Sequence, residues 1–350
     1  MTDLARWQPS YHMAASSGIT YSRNFTLSTV PGTYGTGTTI VYLKNEPPFN
    51  PGREIITNRK STGNAYLTKG GTTSIERITG VEAPTTSFEF DFDTKAAFIP
   101  LLTLFQDTSG ASIGGTTATT KTFNCYSSST VSKYAVLLRA LETGKSQLIK
   151  GAIANSVTIS GTEGEAVTMS VEWLGADMDG DASSSVIAWA PTDAESFLMF
   201  KDITCGYSDG TTDPSETTVD IVGFDITITN NAVARHYNNA TIQKYILGDF
   251  MVEGTLRFPW GATTVGSDTF FTHLNAGTDF QIALYKNIYL ETNGSTVDGE
   301  FSILLNVEAD DSVTTSDDEI TNEVSFTGIY DGTSYPVSIH LNDDCDRRNY

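Results

Sequence analysis

The side chains of this chain that could do chemistry are few, and their spacing does not gather them. The histidines are His12, His236, His273 and His340, and no two stand at HExxH or HxH spacing, the patterns that put two imidazoles on one metal. His273 falls in a segment of helical character, where a packed or surface role is expected. Cys125, Cys205 and Cys345 are odd in number and far apart, with no CxxC. Neither a metal cluster nor a disulfide framework is expected from them, so a reducing compartment is the expected place of assembly. No GxSxG elbow and no GxGxxG or phosphate loop follows a strand; SGASIGG, residues 109–115, is glycine-rich but lacks the lysine. DMDGD, residues 177–181, has part of a calcium loop, yet its glycine comes fourth instead of sixth and no glutamate closes the window, so a solvated linker is expected. Glu163, Glu165, Asp310, Asp311, Asp317, Asp318 and Glu319 cluster in two hairpin segments. They lack the basic or apolar setting that tunes an acid–base pair, so a solvated or repulsive role is expected. No catalytic, cofactor-binding or metal residue is assigned, and no enzyme is expected.

The elements around these residues read as strands. The chain has 350 residues, only 18% of them charged, and is rich in Thr, Ser and Gly, a composition that suits β structure with many turns. Net charge is −21, from 42 acidic against 21 basic residues. A DNA-binding surface needs the opposite balance, because phosphates are neutralised by Lys and Arg. Solubility explains such a balance, and so does a surface that repels a polyanion. Met1 to Gly18 lacks the apolar core of a signal peptide, and no apolar run approaches the ~18 residues of a membrane span. Sequons begin at Asn24, Asn239 and Asn293 and read as chance in a Thr/Ser-rich chain.

The chain is written twice. Ile56-Thr57-Asn58 recurs as Ile228-Thr229-Asn230, 172 residues on (228 − 56). TSFEF, residues 86–90, recurs as GTLRF, residues 254–258, after 168 (254 − 86). A helical segment follows in each half: Thr94 to Gln106, apolar on most sides with Pro100 inside, and Ser267 to Gly277. Thr94 and Ser267 are candidate N-caps and Gly277 a stop. Each half closes on a hairpin, ending at Gly175 and Gly328, 153 apart (328 − 175). Alternating apolar residues mark both hairpins, and the acidic turn at 161–165 joins the first. The low-complexity loop 106–121 accounts for the extra length of the first half. The expected organisation is an N-terminal arm with the first strands over 1–50, a β domain over 51–176, an acidic linker at 177–185, a second β domain over 186–335 and a C-terminal tail over 336–350. Two like units in one chain halve the number of chains in a ring, and long Pro-free hairpins can join neighbours by sheet extension.

Three segments carry a resemblance: SVTISGTEGEAVTMSVEWLGAD (156–177), DIVGFDITITNNAVARHY (220–237) and LGDFMVEGTLRFPW (247–260). They resemble the sheet-forming parts of the large tail tube proteins of phages with long non-contractile tails, over about Glu54 to Gly328. The resemblance implies an all-β chain of two tandem sandwich or barrel units, each with one short flanking helix. It implies trimeric, pseudo-hexameric rings stacked into a hollow virion tail, assembled in the host cytoplasm, with sheets joined around a lumen through which DNA passes as non-specific cargo. Implied partners are other copies of the chain, a tape measure protein, and terminator and distal tail proteins; no cofactor and no membrane is implied. The residues leave other readings open: a non-catalytic adhesin or carbohydrate-binding module of a virion or cell surface, another virion structural protein, or a two-carboxylate glycosidase, for which no tight acid pair is present.

Overall fold

Alternation with period two dictates most of the elements seen in a computed structural model of the chain. The structure describes residues 18–24, 39–42, 48–52, 55–58, 76–79, 81–106, 119–125, 131–142, 145–182, 198–209, 214, 217–239, 241–259, 272–273, 275–286, 301–316, 320–332 and 334–343. Strands β1 (Gly18–Asn24), β2 (Thr39–Tyr42), β3 (Ile55–Asn58), β4 (Glu76–Thr79) and β5 (Thr85–Asp91) precede helix α1 (Thr94–Phe105). Then come β6 (Thr119–Asn124), β7 (Tyr134–Glu142), β8 (Lys145–Thr162), β9 (Thr168–Leu174) and β10 (Asp177–Ala182). The second half holds β11 (Thr204–Ser208), β12 (Thr218–Val219), β13 (Gly223–Thr229), β14 (Val233–Arg235), β15 (Lys244–Ile246) and β16 (Met251–Pro259). It ends with β17 (Phe280–Lys286), β18 (Phe301–Ser316), β19 (Ile320–Gly328) and β20 (Val337–Asp343). The expected all-β class is borne out.

The hydrogen-bonded order is β5-β9-β8-β7 in the first half and β16-β19-β18-β17 in the second, every pair antiparallel. Registers match as well as order. Phe88 faces Val171 as Leu256 faces Val324, the offsets of 168 and 153 read from sequence. Ala154 faces Trp173 as Ala309 faces Phe326, and each long strand then shifts register by a bulge, at Asn155 in β8 and Asp310 in β18. Strand β13 pairs with β16 on one side and β8 on the other, so one sheet runs through both halves. The buried phases of these strands, Phe88, Phe90, Met169, Val171, Trp173, Ile226, Leu256, Phe258, Val324 and Phe326 among them, form one core.

Helix α1 lies inside that core. Every residue from Ala96 to Phe105 is buried, and the helix packs against β8, β20 and β6. A helix apolar all round belongs in an interior, so it does not flank the unit. Its N-cap is Asp93, which accepts from the Ala96 amide, and Thr94 is the first helical residue. Gln106 ends it at φ 58°; its Oε1 accepts the amides of Ser132 and Lys133, and its Nε2 donates to the carbonyls of Thr103 and Lys133. In the second half Thr272, His273, Asn275 and Ala276 are helical and Gly277 stops the turn at φ 58°. Ser267, the other candidate cap, lies outside the described residues, as do the loop 107–118 and Asp317, Asp318 and Glu319 of the second acidic hairpin.

Three local readings change. The two Ile-Thr-Asn strands do not correspond: among the described residues β3 pairs with β4 in a separate two-stranded ribbon, whereas Ile228-Thr229 sits in the main sheet. The ribbon β14–β15 is the second-half element placed like β3–β4, leading into β16 as β4 leads into β5. Asp177–Ala182, read as the start of a linker, is a strand against β8, with Asp177 bonded to Lys150 at 3.3 Å. An extended strand cannot wrap a cation as a loop does, which also removes the calcium reading. Val337–Asp343, inside the segment read as a tail, pairs with β18 and β6 and buries Val337, Ile339 and Leu341.

Candidate functional site

The same alternation that fills the core leaves a second, polar phase on the outer face of the sheet. Cross-strand partners point the same way, so the face can be read across the strands. It holds Ser87, Glu89 and Asp91 on β5; Thr168, Ser170 and Glu172 on β9; and Thr158 and Ser160 on β8. Asp225 and Thr227 follow on β13, Glu253, Thr255 and Arg257 on β16, Glu323, Ser325 and Thr327 on β19, and Glu308 and Asp311 on β18. Hydroxyls knit neighbouring strands: Thr158 and Thr227 are 2.9 Å apart, Ser160 and Thr168 2.8 Å. Thr327 donates to Asp310, the bulge residue, at 2.6 Å.

Among the described residues of this face Arg257 is the only cation. Its Nε donates to Glu323 at 2.8 Å, with the two side chains 47% and 40% exposed. An ion pair so exposed contributes about 0–1 kcal/mol. Asp225, next to it, has its pKa raised, first by burial and then by Glu323, with Arg257 opposing. The face therefore offers carboxylate acceptors and neutral hydroxyls. Its described residues give a polyanion no counterion-releasing contact apart from one arginine already engaged.

The residues singled out in sequence are scattered. Glu163 and Glu165 are exposed on the β8–β9 turn, while Asp310 and Asp311 reach the polar face. His273 bonds Tyr207 through Nε2 and Thr278 through Nδ1; the Tyr207 hydroxyl is pushed up to about 12, by burial first and Asp209 second. His340 is held by Thr122 and Ser338, and His236 lies just beyond β14. Burial pushes the Cys125 thiol up to about 11 and that of Cys205 to about 12, so neither is a ready nucleophile. His12 and Cys345 fall outside the described residues. Among those described, no group of three or more His, Cys, Asp or Glu is arranged around a metal position. Glu89, Asp91, Glu172, Asp225, Glu253, Glu308 and Glu323 were not singled out from sequence. Their signal was the polar phase of strands whose apolar phase marked the core.

A family model described as phage tail tube protein matches residues 27–328, a span that takes in every strand of the polar face. No curated protein matches the chain. With most of the chain under that family model and an all-β fold behind it, the chain belongs to the phage tail tube protein family, as a structural component of the virion tail.

Proposed function

We propose that three copies of this chain close into a pseudo-hexameric ring, that such rings stack into the tail tube, and that the polar face lines the lumen through which DNA passes. The chain then contains two copies of one β unit, the first of them ending with β10 (Asp177–Ala182). One observation carries the reading. Val307 pairs with β17 on one side and β19 on the other. Beyond it, on the β17 side, no described strand pairs with β18 from Glu308 to Ser316. The matching edge of β8, from Ser156 to Thr162, holds β13. A strand with no described strand beside it, where its counterpart holds one, invites the corresponding strand of another copy. Repeating the filled junction three times returns the sheet to its start and leaves no open edge. Tape measure, terminator and distal tail proteins are the partners such a tube requires, and host cytoplasm is the place of assembly. Negative-stain microscopy of the purified chain tests the reading. Annular particles with three-fold repeats, stacked at high concentration, are expected; monomers at every concentration would overturn it.

A further inference from the structure

The ribbon β14–β15 has features that the single chain does not use. It extends the β13–β16 hairpin beyond the C-terminal end of β13, and buries Tyr245 on one side with Ile242 and Leu247 beside it. The other side is exposed and carries Val233, Arg235 and Lys244. Arg235 and Lys244 are register partners, like charges directly opposite each other, and neither makes an ion pair among the described residues. At the tip Tyr237 stands at φ 52° and is 69% exposed. A bulky residue rarely adopts the left-handed region, and here most of its surface is exposed.

At the opposite, N-terminal end of β13 lies a cavity of about 550 Å³, beneath the β8–β9 turn. Phe200, Ile203 and Val219 line its apolar part, and Glu163, Asp220 and Lys201 its polar part. Glu165 and Asp202 are exposed on the flanking turns. A basic, aromatic-tipped projection and a net-acidic, apolar-floored cavity thus sit at the two ends of one strand. A contact between such ends is heterologous and cannot close on itself, so repetition builds a filament.

We propose that ring-to-ring stacking is made by this contact. Tyr237 of one copy fills the cavity of a second copy in the next ring, and Arg235 and Lys244 meet Glu163 and Asp220 there. This rests on the ring reading above and adds to it the residues that bind one ring to the next.

Two charge-reversed chains test it. One carries Arg235→Glu with Lys244→Glu, the other Glu163→Lys with Asp220→Lys. Each alone is expected to form rings, with the fraction sedimenting as tubes down by about tenfold or more, since like charges now face each other. Mixed in equal amounts they are expected to regain tubes, because each ribbon then finds an opposite cavity. Tyr237→Gly relieves the backbone strain, so its monomer melts no lower than the unaltered chain, yet it stacks poorly. Tubes of ordinary length from either reversed chain alone, or no recovery on mixing, would overturn the contact while leaving the rings in place. A loss of ring formation in the Glu163→Lys, Asp220→Lys chain would also overturn it, by showing the cavity filled from within its own ring. If the unaltered chain forms no rings, the ring reading falls and takes this contact with it.

Discussion

Burial keeps the His340 imidazole neutral, its pKa lowered to about 4 from an ordinary 6.5, with Thr122 at Nδ1 and Ser338 near Nε2. As pH falls, the unfolded chain binds this proton first. The folded state therefore loses stability between about pH 6.5 and pH 4, by up to about 3 kcal/mol for a shift of this size. Replacing His340 with Gln removes the proton site, and denaturant midpoints measured across that window should fall less steeply than in the unaltered chain. Equal slopes would show that the imidazole is not the group responsible. Asp225 works in the other direction. Its pKa is raised, so the folded chain holds the proton more firmly and ionisation costs stability as pH rises. Asp225→Asn should melt higher at neutral pH, and the gain should vanish in acid, below the ordinary value of 3.8.

Strand β16 shows how tightly the elements are fitted. A Cβ on Gly254 would fall 2.4 Å from the Asp225 carbonyl oxygen and 2.5 Å from the Phe326 ring, so glycine is what lets β13 and the Phe326 ring approach this close. Gly254→Val should lower stability by about 1–3 kcal/mol through overpacking, read as a lower denaturant midpoint. The helix is tied to the sheet as firmly. Asn230, fully buried, donates to the carbonyls of Leu104 at the end of α1 and Ala154 on β8, and accepts the Ala232 amide. Asn230→Ala strands buried polar groups on both elements and should cost about 1–3 kcal/mol; a smaller loss would mean that water replaces the amide.

At the scale of the whole molecule, the proposed tube would have the polar face decide how cargo moves. A wall of carboxylates repels phosphates over roughly a Debye length, about 8 Å at physiological salt. Glu89, Glu172 and Glu253 each alternate with core residues and face outward. Replacing all three with Lys should leave rings and tubes intact, because no core contact changes, yet slow DNA release by creating phosphate contacts. Added salt should relieve the slowing. A release rate that matches the unaltered tail at low salt would refute the assignment of this face to the lumen.

Local chemistry made much of this readable in advance. The alternation of Val157 and Ile159, or of Met169, Val171 and Trp173, needs only a window of a few residues to declare a half-buried strand. The offsets of 168 and 153 read from TSFEF and Gly175 are also those between the Phe88–Val171 pair of β5 and β9 and the Leu256–Val324 pair of β16 and β19. Apolar residues around Thr94 to Gln106 marked the helix, although the cap moved to Asp93. What the residues alone could not decide was partnership. Backbone N–H and C=O groups are alike at every position, so nothing local says that β13 lies against β8, or that β20 crosses to β6. The same limit explains why the polar phases of separate strands, each an ordinary solvated edge by itself, became one acidic wall only when long-range pairing set them side by side.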